Sequence, residues 1–148
     1  MSLIRVDFYL LKQGFTEARF LLACRLLEKA YLRGHRVFVI CSTQQEAENL
    51  DELLWTFKDM SFIPHNLQGE GLEPPPAIQI GCGERPRGFN DILLNLSPQI
   101  PVFYTAFQRI IEIVSEEVEE KELSRTRFRS YRASGCELHT HQIDSALV

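Results

Sequence analysis

The segment 125–135, RTRFRSYRASG, has the residue types and spacing best suited to binding an anion. Four arginines interleave with Phe128 and Tyr131, in a chain whose formal net charge is −4. Arginine binds carboxylates and phosphates through paired N–H groups, and an adjacent aromatic ring supplies an apolar surface. The segment therefore has the chemistry to hold either an acidic peptide or a nucleic acid.

Helical spacing places most of these cations on one side. A helix is predicted from residue 116 to about residue 133, because the segment lacks breakers and Gly135 follows as a C-terminal cap. At 100° per residue, Arg127 points elsewhere, and Phe128 lies at the edge of a cationic stripe. The stripe consists of Lys121, Arg125, Arg129 and Arg132.

The charge balance favours a peptide over a nucleic acid. The acidic segment SEEVEE, residues 115–120, precedes the stripe and lies too far from its last arginines to neutralise the whole stripe at helical spacing. Nucleic acid usually needs a larger basic footprint than one helix face of a protein with a pI of about 5.6. An acidic chain end with a hydrophobic last residue fits better. A protein that binds nucleic acid directly through the same arginines remains the alternative.

A second candidate surface lies in residues 51–71. Trp55, Phe62 and Pro64 crowd a predicted helix end and the loop after it, and such loops usually lie at the surface. Aromatic side chains often anchor protein interfaces. Phe57 and Ile63 are expected to be core residues instead.

Enzyme chemistry is not indicated by any motif. The glycine cluster at 81–88 lacks dinucleotide-binding spacing and is followed by a strand, so phosphates would find no helix N-terminus there. No lysine follows a glycine-rich turn, and no signature ties His35 or His65 to a nucleophile. The four cysteines never form a C-x-x-C pair, which argues against a zinc site. We expect no cofactor, no metal and no catalytic site.

The elements that would position these residues alternate between strand and helix. Strands are predicted at 4–11, 35–42, 77–83 and 91–97, and helices at 15–34 and 43–57. The loop 61–76 breaks the order with prolines and glycines, and the segment 102–114 reads as a short helix running into a last strand. The prediction is an α/β, Rossmann-like three-layer sandwich around a mostly parallel sheet, without a nucleotide-binding loop.

Size and composition fit one soluble domain. The chain has 148 residues, 45% of them hydrophobic, and no apolar run approaches the roughly 20 residues of a membrane helix. The first residues do not resemble a signal peptide, so we expect a cytoplasmic protein without a membrane partner. The domain is predicted to span residues 1–138, and residues 139–148 are expected to form a flexible tail.

Four segments together resemble one family. DELLW, SFIPHNLQGEG, DILLNL and RTRFRSYRASG, in this order and at these spacings, resemble the chi subunit of bacterial DNA polymerase III, an accessory protein of the clamp loader. The resemblance extends from about Phe8 to about Leu138. It implies a Rossmann-like fold without nucleotide binding or catalysis.

The resemblance also implies two protein partners in DNA replication. One is the psi subunit, which tethers chi to the clamp loader, and the other is the acidic C-terminal tail of single-stranded DNA-binding protein. DNA would be contacted only indirectly. In some bacteria a helicase competes with psi for its surface.

Site residues follow from the resemblance by position. The tail site would comprise Lys121, Arg125, Phe128, Arg129, Arg132 and Val114. The family often has Tyr and Lys where this sequence has Phe128 and Arg129, so the ring here lacks a hydroxyl donor. The psi or helicase surface would comprise Trp55, Phe62, Pro64 and His65.

Overall fold

The computed structural model describes residues 3–12, 16–71 and 73–144. Its strands are β1 (Arg5–Lys12), β2 (Val37–Ile40), β3 (His65–Leu67), β4 (Ile78–Gly81), β5 (Ile92–Asn95), β6 (Arg109–Val114) and β7 (Glu137–Asp144). They form one seven-stranded sheet in the order β3-β4-β2-β5-β6-β1-β7, and every pairing is parallel. The inner strands β2, β4 and β5 are buried along their whole length, as a sheet covered on both faces requires.

In the described part of the chain, three helices connect the parallel strands. They are α1 (Thr16–Leu32), α2 (Gln44–Thr56) and α3 (Val118–Ala133), with a single 3₁₀ turn at Tyr104–Ala106 before β6. Thr43 caps α2 by accepting a 3.1 Å hydrogen bond from the Glu46 N–H. Gly135 (φ +83°) ends α3, where the N–H groups of Gly135 and Cys136 bond to the carbonyls of Arg132 and Tyr131.

Two apolar clusters make the fold a three-layer sandwich. Side chains of α1 and α2, such as Leu27 and Leu50, pack on one face of the sheet. The other face packs against α3, whose Tyr131 is fully buried beside Phe8. The predicted Rossmann-like α/β class is therefore confirmed, and the sheet is wholly parallel in the described part of the chain.

Two strands correct the sequence expectations. β3 lies within residues 61–76, which were expected to be loop throughout. β7 continues the sheet to residue 144, so the expected flexible tail from residue 139 is wrong for residues 139–144, and β6 is not the last strand. Residues 145–148 lie outside the described residues.

β7 is held to β1 by polar side chains as well as by the backbone. The ring Nε2 of His141 lies 2.8 Å from Oδ1 of Asp7, and the same ring stacks on Tyr9 at a centroid distance of 4.7 Å. Asp7 is fully buried and also accepts hydrogen bonds from Arg5 and Arg109. This network orders a strand whose sequence, ELHTHQID, has little apolar character.

Candidate functional site

A cavity of about 350 Å³ opens between α3 and the carboxyl end of the sheet. Its lining combines apolar strand residues with cations from α3 and from the end of β1. The lining residues are Phe8, Leu10, Leu11, Lys12, Val114, Ser115, Glu116, Lys121, Ser124, Arg125, Phe128, Thr140 and Gln142. The cavity therefore contains four of the six residues assigned to the tail site: Val114, Lys121, Arg125 and Phe128.

The floor of the cavity comes from three adjacent strands. Leu10 of β1 pairs in register with Val114 of β6 on one side and with Gln142 of β7 on the other. Residues in register on neighbouring strands point to the same face, so these three side chains share the face that α3 covers. Phe8 lies two residues before Leu10 on β1 and closes the inner end of the cavity. The centroid of its ring lies 5.3 Å from that of Phe128.

The remaining two predicted residues extend the site beyond the cavity. Arg129 and Arg132 are exposed on α3 and do not line the cavity. They continue the cationic stripe from Arg125 toward the C-terminal end of the helix. The site is thus an apolar recess at one end of an exposed row of arginines.

The stripe is not neutralised within the described part of the chain. None of Lys121, Arg125, Arg129 and Arg132 has a carboxylate within 4.0 Å there. The nearby acid Glu120 is engaged elsewhere: it accepts a hydrogen bond from Ser115 and pairs with Arg19 of α1 at 3.3 Å. These cations are therefore available to an anionic ligand.

Arg127 belongs to the core and not to the stripe. Its guanidinium lies 3.0 Å from the carboxylate of Glu112, which is fully buried in the middle of β6. Burial raises the pKa of Glu112, while Arg127 and hydrogen bonds from Tyr131 and Asn95 favour its charged form. This cluster ties α3 to β5 and β6 and so fixes the orientation of the cationic face.

Nine of the thirteen lining residues were not assigned to the site from the sequence, and three of these are polar or charged residues of β1 and β7: Lys12, Thr140 and Gln142. Lys12 stands at the end of β1, and the other two alternate in β7. Leu138, Thr140 and Gln142 follow the period of two that is typical of a strand. The polar residues on both faces made this pattern hard to recognise in the sequence.

The second predicted surface divides into exposed and buried members. Trp55 is 56% exposed and Phe62 is 76% exposed, and Pro64 is also exposed. Ile63 is buried and Phe57 packs against the core, as expected. Met60, 88% exposed, adds to this apolar patch although it was not assigned to it.

His65 supports the patch from beneath. Its side chain is fully buried, and its ring lies 4.5 Å from that of Trp55. Nδ1 lies 2.6 Å from the carbonyl oxygen of Ile63, and Nε2 lies 3.0 Å from that of Asp51. The ring of His65 therefore lies beneath the exposed patch and packs against Trp55, and its assignment to a partner surface stays a prediction.

Within residues 3–12, 16–71 and 73–144, no helix is long and apolar enough to cross a membrane. The same stretches contain no group of three His, Cys, Asp or Glu side chains arranged to hold a metal ion.

Comparison with known proteins gives a consistent result over nearly the whole chain. The family model for the DNA polymerase III chi subunit, HolC, matches residues 3–139. The chain is 40% identical over 139 residues to DNA polymerase III subunit chi of Pseudomonas aeruginosa, covering 94% of this chain and 96% of that protein. It is 33% identical over 138 residues to subunit chi of Haemophilus influenzae, covering 93% and 96%, and 35% identical over 120 residues to that of Escherichia coli, covering 80% and 82%.

A solved structure supports the fold alone. The crystal structure of T4 UvsW superposes with a TM-score of 0.65 at 9% sequence identity, covering 96% of this chain and 42% of that one. At this identity the similarity carries no functional argument.

Proposed function

Because the chain belongs to the DNA polymerase III chi subunit family, we propose that it bridges two proteins and performs no catalysis. It would be an accessory subunit of the clamp-loader complex, joining the psi subunit to the acidic C-terminal tail of single-stranded DNA-binding protein during replication in the bacterial cytoplasm. The observation that carries this proposal is the apolar cavity beside unneutralised cations on α3.

The cavity suits a hydrophobic chain end. Phe8, Leu10, Val114 and Phe128 supply apolar walls for a terminal aromatic residue. Lys121 and Arg125 at the rim would bind the terminal carboxylate, and Arg129 and Arg132 the preceding acidic side chains. Each exposed charge contact contributes only about 0.2 to 1 kcal/mol, so the buried hydrophobic residue must supply much of the affinity.

The opposite edge of the sheet suits an apolar partner. Trp55, Phe62 and Pro64 form an exposed patch beside the edge strand β3, supported by the buried His65. Aromatic side chains in such a patch are typical anchors of protein interfaces. We assign this patch to psi, and a helicase that competes with psi would use the same residues.

The distance between the two surfaces favours simultaneous binding. β3 and β7 are the outer strands of the sheet, six strand spacings apart. At about 4.8 Å per spacing this places them roughly 29 Å from each other. A short peptide on α3 would therefore leave the Trp55 patch free, and the polymerase assembly would stay attached to coated template.

The tail site is tested by fluorescence anisotropy with a labelled acidic peptide ending in Pro-Phe. The expected result is saturable micromolar binding that weakens with salt and disappears when the final Phe is removed. Single-stranded DNA of similar charge should bind far more weakly. Tighter binding of DNA than of the peptide would favour the nucleic-acid alternative and contradict the proposal.

Matched arginine variants locate the binding surface. Arg125→Ala and Arg129→Ala should each weaken peptide binding about 1.5- to 5-fold, the range expected for one exposed charge contact. Arg33→Ala removes an exposed arginine that lines neither the cavity nor the stripe, and it should bind as the unchanged protein does. Equal affinity in all three variants would refute the assignment of the stripe.

Trp55→Ala tests the second surface. It should impair capture of psi in a pull-down and leave peptide affinity unchanged, because Trp55 lies at the other edge of the sheet. Leu32→Ala, another exposed apolar residue outside the patch, is the control. Loss of both partners together in Trp55→Ala would show that the two surfaces are not independent.

A further inference from the structure

The cavity beside α3 has a polar side formed by β7, which none of the assigned site residues represents. Thr140 and Gln142 pair in register with Phe8 and Leu10, so their side chains lie on the face that borders the cavity. Both side chains are exposed. Neither has a side-chain hydrogen-bond partner among the described residues, so their polar groups are available to a ligand.

Lys12 adds a third cation to the rim. It ends β1, is exposed, and lines the cavity together with Lys121 and Arg125. Among the described residues that line the cavity, Glu116 is the single acid. The three cations belong to two different elements, so an anionic group entering the cavity would meet positive charge from the sheet as well as from the helix.

We propose that the end of β1 and β7 form the second half of the acidic-peptide site. Gln142 and Thr140 hydrogen-bond the main-chain groups of the docked chain end, and Lys12 binds one of its carboxylates. A glutamine amide can donate to a peptide carbonyl and accept from a peptide N–H, while a threonine hydroxyl can do either. This inference rests on the proposed peptide-binding function and extends it to residues outside α3.

Such contacts would make the site selective for a peptide over other polyanions. A cationic stripe alone binds any flexible chain of negative charge, since its attraction depends on charge and salt. Amide and hydroxyl groups beside the recess would recognise a peptide backbone, which nucleic acid lacks. β7 would therefore contribute specificity, whereas the arginines contribute most of the charge.

Salt dependence separates the two kinds of contact in the anisotropy titration. Gln142→Ala should weaken peptide binding about 2- to 10-fold, as expected for a lost hydrogen bond, without changing how affinity varies with salt. Lys12→Ala should weaken binding about 1.5- to 5-fold and also reduce its salt dependence. The controls are Gln108→Ala and Lys29→Ala, which remove an exposed glutamine and an exposed lysine outside this cavity.

Gln142→Glu keeps the size of the side chain and guards against a folding artefact. It should weaken binding more than Gln142→Ala, because a carboxylate there repels the acidic peptide, and thermal unfolding should match the unchanged protein. If Arg125→Ala weakens binding while Lys12→Ala, Gln142→Ala and Gln142→Glu behave like the controls, this inference is overturned and the proposed function stands. If the unchanged protein fails to bind the peptide, both are overturned.

Discussion

Arg127 and Arg129 lie two residues apart on α3 and have opposite environments. Arg129 is exposed on the cationic stripe, whereas Arg127 is 4% exposed and pairs with the buried Glu112. Helical spacing alone predicted that Arg127 points away from the stripe. Its partner was not predictable, because Glu112 interrupts an apolar strand and meets Arg127 only through tertiary packing.

Removing Arg127 should destabilise the protein strongly. Arg127→Ala leaves the Glu112 carboxylate buried without its counter-ion, and we expect a loss of about 3 to 5 kcal/mol in the free energy of unfolding. Arg129→Ala, on the exposed face of the same helix, should change it by less than about 0.5 kcal/mol. Urea denaturation of both variants checks this, and equal effects would mean that the buried pair does not anchor α3.

The carboxyl of Asp7 makes the folding stability of the protein depend on pH in the acidic range. Burial raises the pKa of its carboxyl, but hydrogen bonds from Arg5, His141 and Arg109 outweigh burial and lower the pKa from 3.8 to about 2. A carboxyl with a lowered folded-state pKa stabilises the protein above its unfolded pKa, and that contribution disappears as pH falls from about 4 to 2. The shift corresponds to about 2 kcal/mol.

The free energies of unfolding of Asp7→Asn and of the unchanged chain should differ by an amount that depends on pH. Asp7→Asn should be less stable than the unchanged chain at pH 6, and the gap should narrow by about 2 kcal/mol as the pH approaches 2. Denaturant unfolding across this range measures it, with the exposed Glu48→Gln as control. A gap that stays constant with pH would contradict the role assigned to the Asp7 network.

At the scale of elements, α3 and β7 show what a sequence pattern can and cannot predict. The end of α3 at Gly135 follows from one local rule about glycine after a helix. β7 does not, because its alternation carries polar residues on both faces and its order depends on Asp7 and Tyr9, more than 130 residues earlier. β3 was also not predicted, because it lies in a segment whose prolines and glycines are typical of a loop.

The helix end gives a prediction about backbone conformation alone. Gly135 has φ +83°, and a Cβ built there would meet no atom within 4 Å. Gly135→Ala should therefore cost about 1 kcal/mol from the left-handed backbone and nothing from crowding. Gly135→Asn should cost less, since asparagine tolerates this conformation better. Thermal unfolding ranks the variants. An unchanged melting temperature for Gly135→Ala would contradict the left-handed backbone conformation assigned to this position.

For the molecule as a whole, the layers of the sandwich could be predicted from the sequence, but the order of the strands within the sheet could not. The apolar runs at β2, β4 and β5 predict buried parallel strands, and the amphipathic helices predict covering layers. The order β3-β4-β2-β5-β6-β1-β7 is set by packing among distant segments. That order places the Trp55 patch and the α3 cavity at opposite edges, which is the basis of the proposed bridge.

One titration measures whether the protein binds both partners at the same time. The labelled acidic peptide is titrated with the protein alone and with the protein saturated by psi. We expect the same dissociation constant in both series and a higher final anisotropy with psi, because the peptide then tumbles with a larger complex. Displacement of the peptide by psi would contradict this expectation, since a bridge must hold both partners at once.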